Sequence, residues 1–247
     1  MFNQTPNPNY PHQNPYVDSQ STVLSEKLIH TSATKAYGEM TIGLFVTAVV
    51  ACLSYLTGFT YDLLVTAGNI GWIILSIIQI ALAVSLSARI FRMRVSSARF
   101  CFYLYAVLMG LTLSTIFFEF SATDISLSLF MTAGFFLCLT MIGLTTKKNI
   151  LNARMIFVVG FIVLIVAELL LMLIHSSALV MLVTAISLVL FAGLTIYDAQ
   201  WTRQLFNQYG NNPDMLNRIS ILAALNLYLD FINLFLSVLQ LFNNSRR

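Results

Sequence analysis

Hydrophobic residues fall into seven runs along this chain, at about 36–57, 70–91, 99–121, 125–146, 154–175, 178–202 and 219–242. Each run is close to the ~20 residues an α-helix needs to cross the hydrocarbon core of a bilayer. The pattern predicts an all-α, polytopic membrane protein with seven transmembrane helices in a single domain, 27–247. Connections are short except 203–218, where "NQYGNNPD" carries the turn signals Gly210 and Pro213. Residues 1–26 break the pattern. They are rich in Asn, Gln, Pro and Tyr and hold four of the five prolines, a composition that predicts a disordered cytoplasmic tail. No secretory cleavage signal is evident, so the first run is expected to remain as a helix.

Composition agrees with this reading. Hydrophobic residues make up 58% of the chain and charged residues 9%, with mean hydropathy +0.81, whereas soluble domains carry about 25% charged residues. The partner implied is the lipid bilayer, and no nucleic-acid partner is suggested. Cys52, Cys101 and Cys138 form no CxxC motif, so they read as small apolar filler rather than a metal or redox site. No cofactor motif is present.

The cations are distributed unevenly. Lys27, Lys35, Arg89, Arg92, Arg94, Arg99, Lys147, Lys148, Arg154, Arg203 and Arg218 all fall on one side of a seven-span path. Arg246 and Arg247 alone fall on the other. Cytoplasmic loops carry the excess of Lys and Arg, so the N-terminus is expected inside and the C-terminus outside. The alternative is six spans with a re-entrant seventh segment, which would place Arg246 and Arg247 inside.

Polar residues inside the runs mark the chemistry. In the seventh run, "LNLYLDFINLFLSVLQLF", Asn226, Asp230, Asn233, Ser237 and Gln240 recur at helical spacing and share one face. A polar seam in lipid must face other helices or a water-filled path, and interhelical hydrogen bonding is the competing structural use. Asp230 stands out, because a mid-membrane Asp costs roughly 2.5–3.5 kcal/mol on insertion scales. The sixth run repeats the theme with Thr184, Ser187, Thr195, Asp198 and Thr202. Counting residues from the inner helix ends separates Asp198 and Asp230 by on the order of 10 Å, unless the sixth helix continues through "WTRQLF". Should they meet, they would share a proton at neutral pH, since two adjacent carboxylates do not both ionise cheaply.

Arg89 and Arg92, in "SLSARIFRMR", are the counter-charge candidates, with Arg92 at the level expected for Asp198. An ion pair there would break in acid. Glu168, in "LIVAELLLM", is mid-span and reads either as a structural hydrogen-bonder or as a second point on a polar path. Glu39, Glu119 and His175 lie near helix ends, where snorkelling or the interface accounts for them. The seventh run has no lysine for a retinal Schiff base, and no GxxxxGK[ST], HExxH or GxSxG motif occurs. Aspartates on consecutive spans are also a feature of intramembrane aspartyl proteases, but Leu227, Tyr228 and Leu229 stand before Asp230 in place of Gly-x-Gly. An enzyme is not expected.

"FAGLTIYDAQ" at 191–200 and "LNLYLDFINLFLSVLQLF" at 225–242 resemble the C-terminal signature of the Bax inhibitor-1 family, also called the transmembrane Bax inhibitor motif family. The resemblance implies a seven-span bacterial inner-membrane protein that acts as a pH-sensitive calcium leak channel. It implies that Asp198 and Asp230 form a hydrogen-bonded, proton-sensing pair. It also implies that an arginine at the end of the second span, Arg92 or otherwise Arg89, latches onto Asp198. Calcium or another cation would be the transported ion. Some bacterial members resemble binding modulators of the membrane protease FtsH, and that is the alternative function. The loop between the last two spans is longer here than in compact relatives.

Overall fold

The computed structural model describes residues 15–146, 148, 150–174 and 176–245, and these form a helical bundle. The helices are α1 (Pro15–Leu56), α2 (Phe59–Arg89), α3 (Val95–Leu113), the short α4 (Ile116–Glu119), α5 (Ala122–Thr145), α6 (Arg154–Ile174), α7 (Ser177–Gln208) and α8 (Pro213–Ser245). Seven segments are long and apolar enough to cross a membrane, and α3 with α4 makes one of them. They coincide with the seven hydrophobic runs. Lys147, His175, Arg246 and Arg247 lie outside the described residues.

Two stretches differ from expectation. The first helix begins at Pro15, so 15–26 is helical rather than part of an unstructured tail, and residues 1–14 lie outside the described region. The connection expected over 203–218 is reduced to residues 209–212, because α7 runs to Gln208 and α8 begins at Pro213. Between the first two runs only Thr57 and Gly58 separate α1 from α2, and α2 then breaks at Gly68. Gly58 (φ 75°) and Gly68 (φ 54°) both occupy the positive-φ region, which residues with a Cβ adopt only at a cost. Local glycine chemistry thus makes one turn and one kink in this segment.

The last helix is the centre of the bundle. In α8 78% of the apolar window is buried, against 6% in the window of α6. The principal neighbours of α8 are α7, α1 and α5, with α3 completing the ring, while α6 leans chiefly on α7. In a bilayer an outer helix must present apolar side chains to lipid. Only a helix shielded on all sides can carry polar groups along its length, so the central position of α8 and its polar seam belong together.

A cluster at the α1–α3–α8 junction locks that centre. The Thr47 hydroxyl lies 2.6 Å from the Tyr228 hydroxyl and donates to the Ala106 carbonyl at 2.9 Å. Phe102 and Tyr105 meet the Tyr228 ring edge-on at 5.8 and 5.9 Å, the geometry aromatic quadrupoles favour. Further along α1, buried Glu39 accepts from Arg99 Nε at 2.7 Å and from the Tyr103 hydroxyl. Glu39 is therefore an interior tie between α1 and α3, not a snorkelling side chain. Glu39→Gln is expected to lower stability by about 1–2 kcal/mol, because it replaces charge-assisted bonds with neutral ones. Thermal melting of the purified chain measures this, and an unshifted transition would contradict it.

The basic end is held by arginine and amide groups that cap chain carbonyls. Arg218 donates to the Phe91 carbonyl, Arg203 to the Leu144 carbonyl, and Gln200 to the Lys148 carbonyl at 2.8 Å. Cations that read as topology signals thus satisfy exposed carbonyls at helix ends.

Candidate functional site

α7 and α8 are consecutive and antiparallel, joined by residues 209–212. Pro213 opens α8 at a position where its missing N–H is no loss. Asn212 precedes it and accepts the Met215 N–H on its side chain at 3.1 Å. At the other end, α7 runs on through "WTRQLF" to Gln208, so Asp198 lies well inside the helix.

Two hydrogen bonds set the register between these helices. Thr184 donates to Gln240 Oε1 at 3.1 Å, and the Ser187 and Ser237 hydroxyls lie 3.0 Å apart. Carried along both helices, this register places Asp198 level with Asn226. Asp230 lies one turn deeper, ~6 Å along the axis. The larger separation expected from residue counting assumed that the two helix ends are level, and they are not.

The polar seam of α8 divides into two parts. Ser237 and Gln240 bond to the matching stripe on α7 and serve as interhelical glue. Asn226, Asp230 and Asn233 instead line a cavity of about 420 Å³ together with Asp198. Its remaining walls come from α6 (Arg154, Phe157, Val158, Phe161, Ile162) and from Phe191, Leu194, Tyr197, Trp201 and Leu229. Asp198 is half-buried, whereas Asp230 is 2% exposed and its Oδ2 has no hydrogen-bond partner.

A second cavity of about 540 Å³ lies toward the opposite end of the same helix pair. Glu168 of α6 and Glu119 of α4 line it, with Thr184, Ser187, Ser237, Gln240 and Asn243. Glu168, for which the sequence offered no partner, shares this space with a second carboxylate. Phe191 and Asn233 line both cavities and form the partition between them.

The latch arginines are not at this site. Arg89 and Arg92 are exposed, and the ion pair among the described residues is Arg99–Glu39. The reason is packing: α2 rests mainly on α3, with lesser contact to α1 and α8. Its basic end meets the C-terminal end of α7 instead, with the Phe91 ring 6.2 Å from that of Tyr209. The arginine that shares a cavity with Asp198 is Arg154, at the start of α6. Sequence reasoning counted it only as a topology charge, and no spacing signal distinguishes it from its neighbours. Among the described residues no cluster of three or more His, Cys, Asp or Glu residues has the geometry to hold a metal ion.

A family model described as "Inhibitor of apoptosis-promoting Bax1" matches residues 29–247. The chain is 37% identical over 229 residues to inner membrane protein YbhL of Escherichia coli (strain K12), which covers 92% of this chain and 97% of that protein. An uncharacterised protein of Deinococcus radiodurans is 35% identical over 216 residues, covering 87% of this chain and 91% of its own length. An uncharacterised protein of Borreliella burgdorferi is 32% identical over 214 residues, with 86% and 91% covered. The family match begins within the first span and extends over the other six. The chain belongs to the Bax inhibitor-1 family and is a multi-pass protein of the inner membrane.

Proposed function

We propose that this protein is a pH-sensitive cation leak pathway of the inner membrane, with calcium as the transported ion and the basic end toward the cytoplasm. The observation that carries this reading is the pair of aspartates, Asp198 and Asp230, lining one cavity within the membrane-spanning bundle. Asn226 and Asn233 add amide oxygens beside them, and Glu119 and Glu168 continue the acidic lining in the second cavity. Oxygen ligands of this kind suit calcium. The route follows the α7–α8 seam, with Phe191 and Asn233 as its constriction. Protonation of the aspartates removes the negative charge that draws a cation in, and so couples flux to pH. Packing of α6 against α7, rather than an arginine from α2, sets the width of the inner cavity in this reading.

Calcium flux into proteoliposomes holding the purified chain, measured across pH, tests the proposal. Flux that varies with pH in the wild type and loses that variation in Asp198→Asn and Asp230→Asn is the expected result. Absent flux, or an unchanged profile in both variants, would sink it. Modulation of an FtsH-type protease, the other role the resemblance implies, would appear instead as altered substrate turnover on deletion of residues 2–26.

A further inference from the structure

The inner cavity has a wall that an inorganic-cation pathway does not use. Every oxygen that could serve calcium there comes from α7 or α8: Asp198, Asn226, Asp230 and Asn233. The α6 side contributes Phe157, Val158, Phe161 and Ile162. Calcium takes six to eight oxygens and gains nothing from an aromatic surface. Two ring pairs cross from α6 to α7, Phe157 with Tyr197 at 5.6 Å and Phe161 with Phe191 at 6.3 Å. Trp201 adds an indole to the same lining. Aromatic faces beside carboxylates form the recognition chemistry of organic ammonium ions, which combine cation–π attraction with charge pairing.

Three further observations agree. Asp230 Oδ2 is buried in this lining without a hydrogen-bond partner, so a bound cation supplies what the fold leaves out. The cavity volume of about 420 Å³ falls in the range of sites for drug-sized ligands. α6 is the least buried span, 6% buried over its apolar window and packed chiefly on α7, so this wall borders lipid. A molecule dissolved in the bilayer has a short way in.

We propose that the cavity between α6, α7 and α8 binds a lipophilic organic cation, an alkylammonium whose head group lies between Asp198 and Asp230. Its apolar chain lies along Phe157, Phe161 and Ile162. Arg154 opposes this occupant. Its guanidinium is exposed at the start of α6, on the same lining, and repels an incoming cation. Removing that charge tightens binding, an effect that a purely structural role for Arg154 would not produce.

Isothermal titration of octyltrimethylammonium into the full chain in lipid nanodiscs tests the proposal, with octyl sulfate as the oppositely charged control. Saturable binding of the ammonium is expected. Asp230→Asn and Asp198→Asn should each weaken it by about tenfold or more, the scale of a desolvated cation contact, and Arg154→Gln should strengthen it. Equal affinity in wild type, Asp198→Asn and Arg154→Gln overturns the proposal, even if Asp230→Asn does not fold. Octyl sulfate binding as strong as that of the ammonium also overturns it, and assigns the cavity to an acyl chain. The outcome is independent of ion flux. A chain that binds the ammonium without conducting calcium retains this inference and loses the leak function, and the converse result does the opposite.

Discussion

Gly110→Val is expected to separate α1 from α3 and leave little monodisperse protein. A Cβ at Gly110 would lie 2.8 Å from the Thr47 carbonyl oxygen and 2.8 Å from Val50 Cβ. The first of these is backbone, so no rotamer change relieves the clash. Overpacking of this kind costs typically 1–3 kcal/mol, and here the displaced backbone is that of Thr47. The Thr47 side chain joins Tyr228 of α8 to the Ala106 carbonyl of α3, so a shift of α1 also opens the centre of the bundle. Gly110→Ala should give a milder loss of the same kind. Melting curves for the series order the effects, and a valine variant that melts with the wild type would refute the account. A position on the same helix with exposed side-chain space, Phe100, should tolerate replacement by leucine without a comparable loss.

Asp230→Leu is expected to move stability the other way while abolishing pH-dependent cation flux. The Asp230 carboxyl is almost fully buried and one of its oxygens has no partner. An unsatisfied buried polar group costs about 1–3 kcal/mol, and leucine removes that cost with the same branched skeleton, its extra volume facing the cavity that Asp230 lines. Its surroundings accept an apolar replacement, because Leu227, Leu234 and Phe231 are already its buried neighbours along α8. The variant should therefore melt higher than the wild type, by about 2–4 °C per kcal/mol gained for a chain of this size. A lower melting point would mean that Asp230 has a structural partner, such as a bound water or a proton shared with Asp198. Stability gained as function is lost is the signature of a polar group retained for use rather than for folding.

The sequence foretold the fold far better than the site. All seven spans were legible because bilayer thickness imposes a length and an apolar composition that few other structures share. The connection 203–218 is shorter than its composition suggests, because α7 continues through "WTRQLFNQ" to Gln208 and Pro213 already opens α8. At the site, Asp198, Asp230 and the α8 seam were legible because an intramembrane carboxylate is costly and helical spacing sorts residues onto faces. Pairings between distant helices were not. Glu39 and Arg99 are sixty positions apart, and nothing in either neighbourhood marks the other. The place of Arg154 beside Asp198 was likewise hidden, since it is a single charge at a helix end and only packing brings it to the cavity. The depth of Asp230 relative to Asp198 depended on a register that Thr184, Ser187, Ser237 and Gln240 fix. Their hydrogen bonds are visible only once the helices are side by side.

The burial of α8 has a consequence for biogenesis. The helix around which the others pack is the last of the seven spans to leave the ribosome. Until it enters the membrane, α1 and α3 can pair, but Thr47 lacks Tyr228, and Ser187 and Thr184 of α7 lack Ser237 and Gln240. Six spans therefore wait in the bilayer without these interhelical bonds, and the seventh closes the ring from within. Chains truncated before about residue 213 retain most of their hydrophobic spans but have no core. Such chains insert as membrane proteins without folding as one, which makes them ready substrates for membrane quality control.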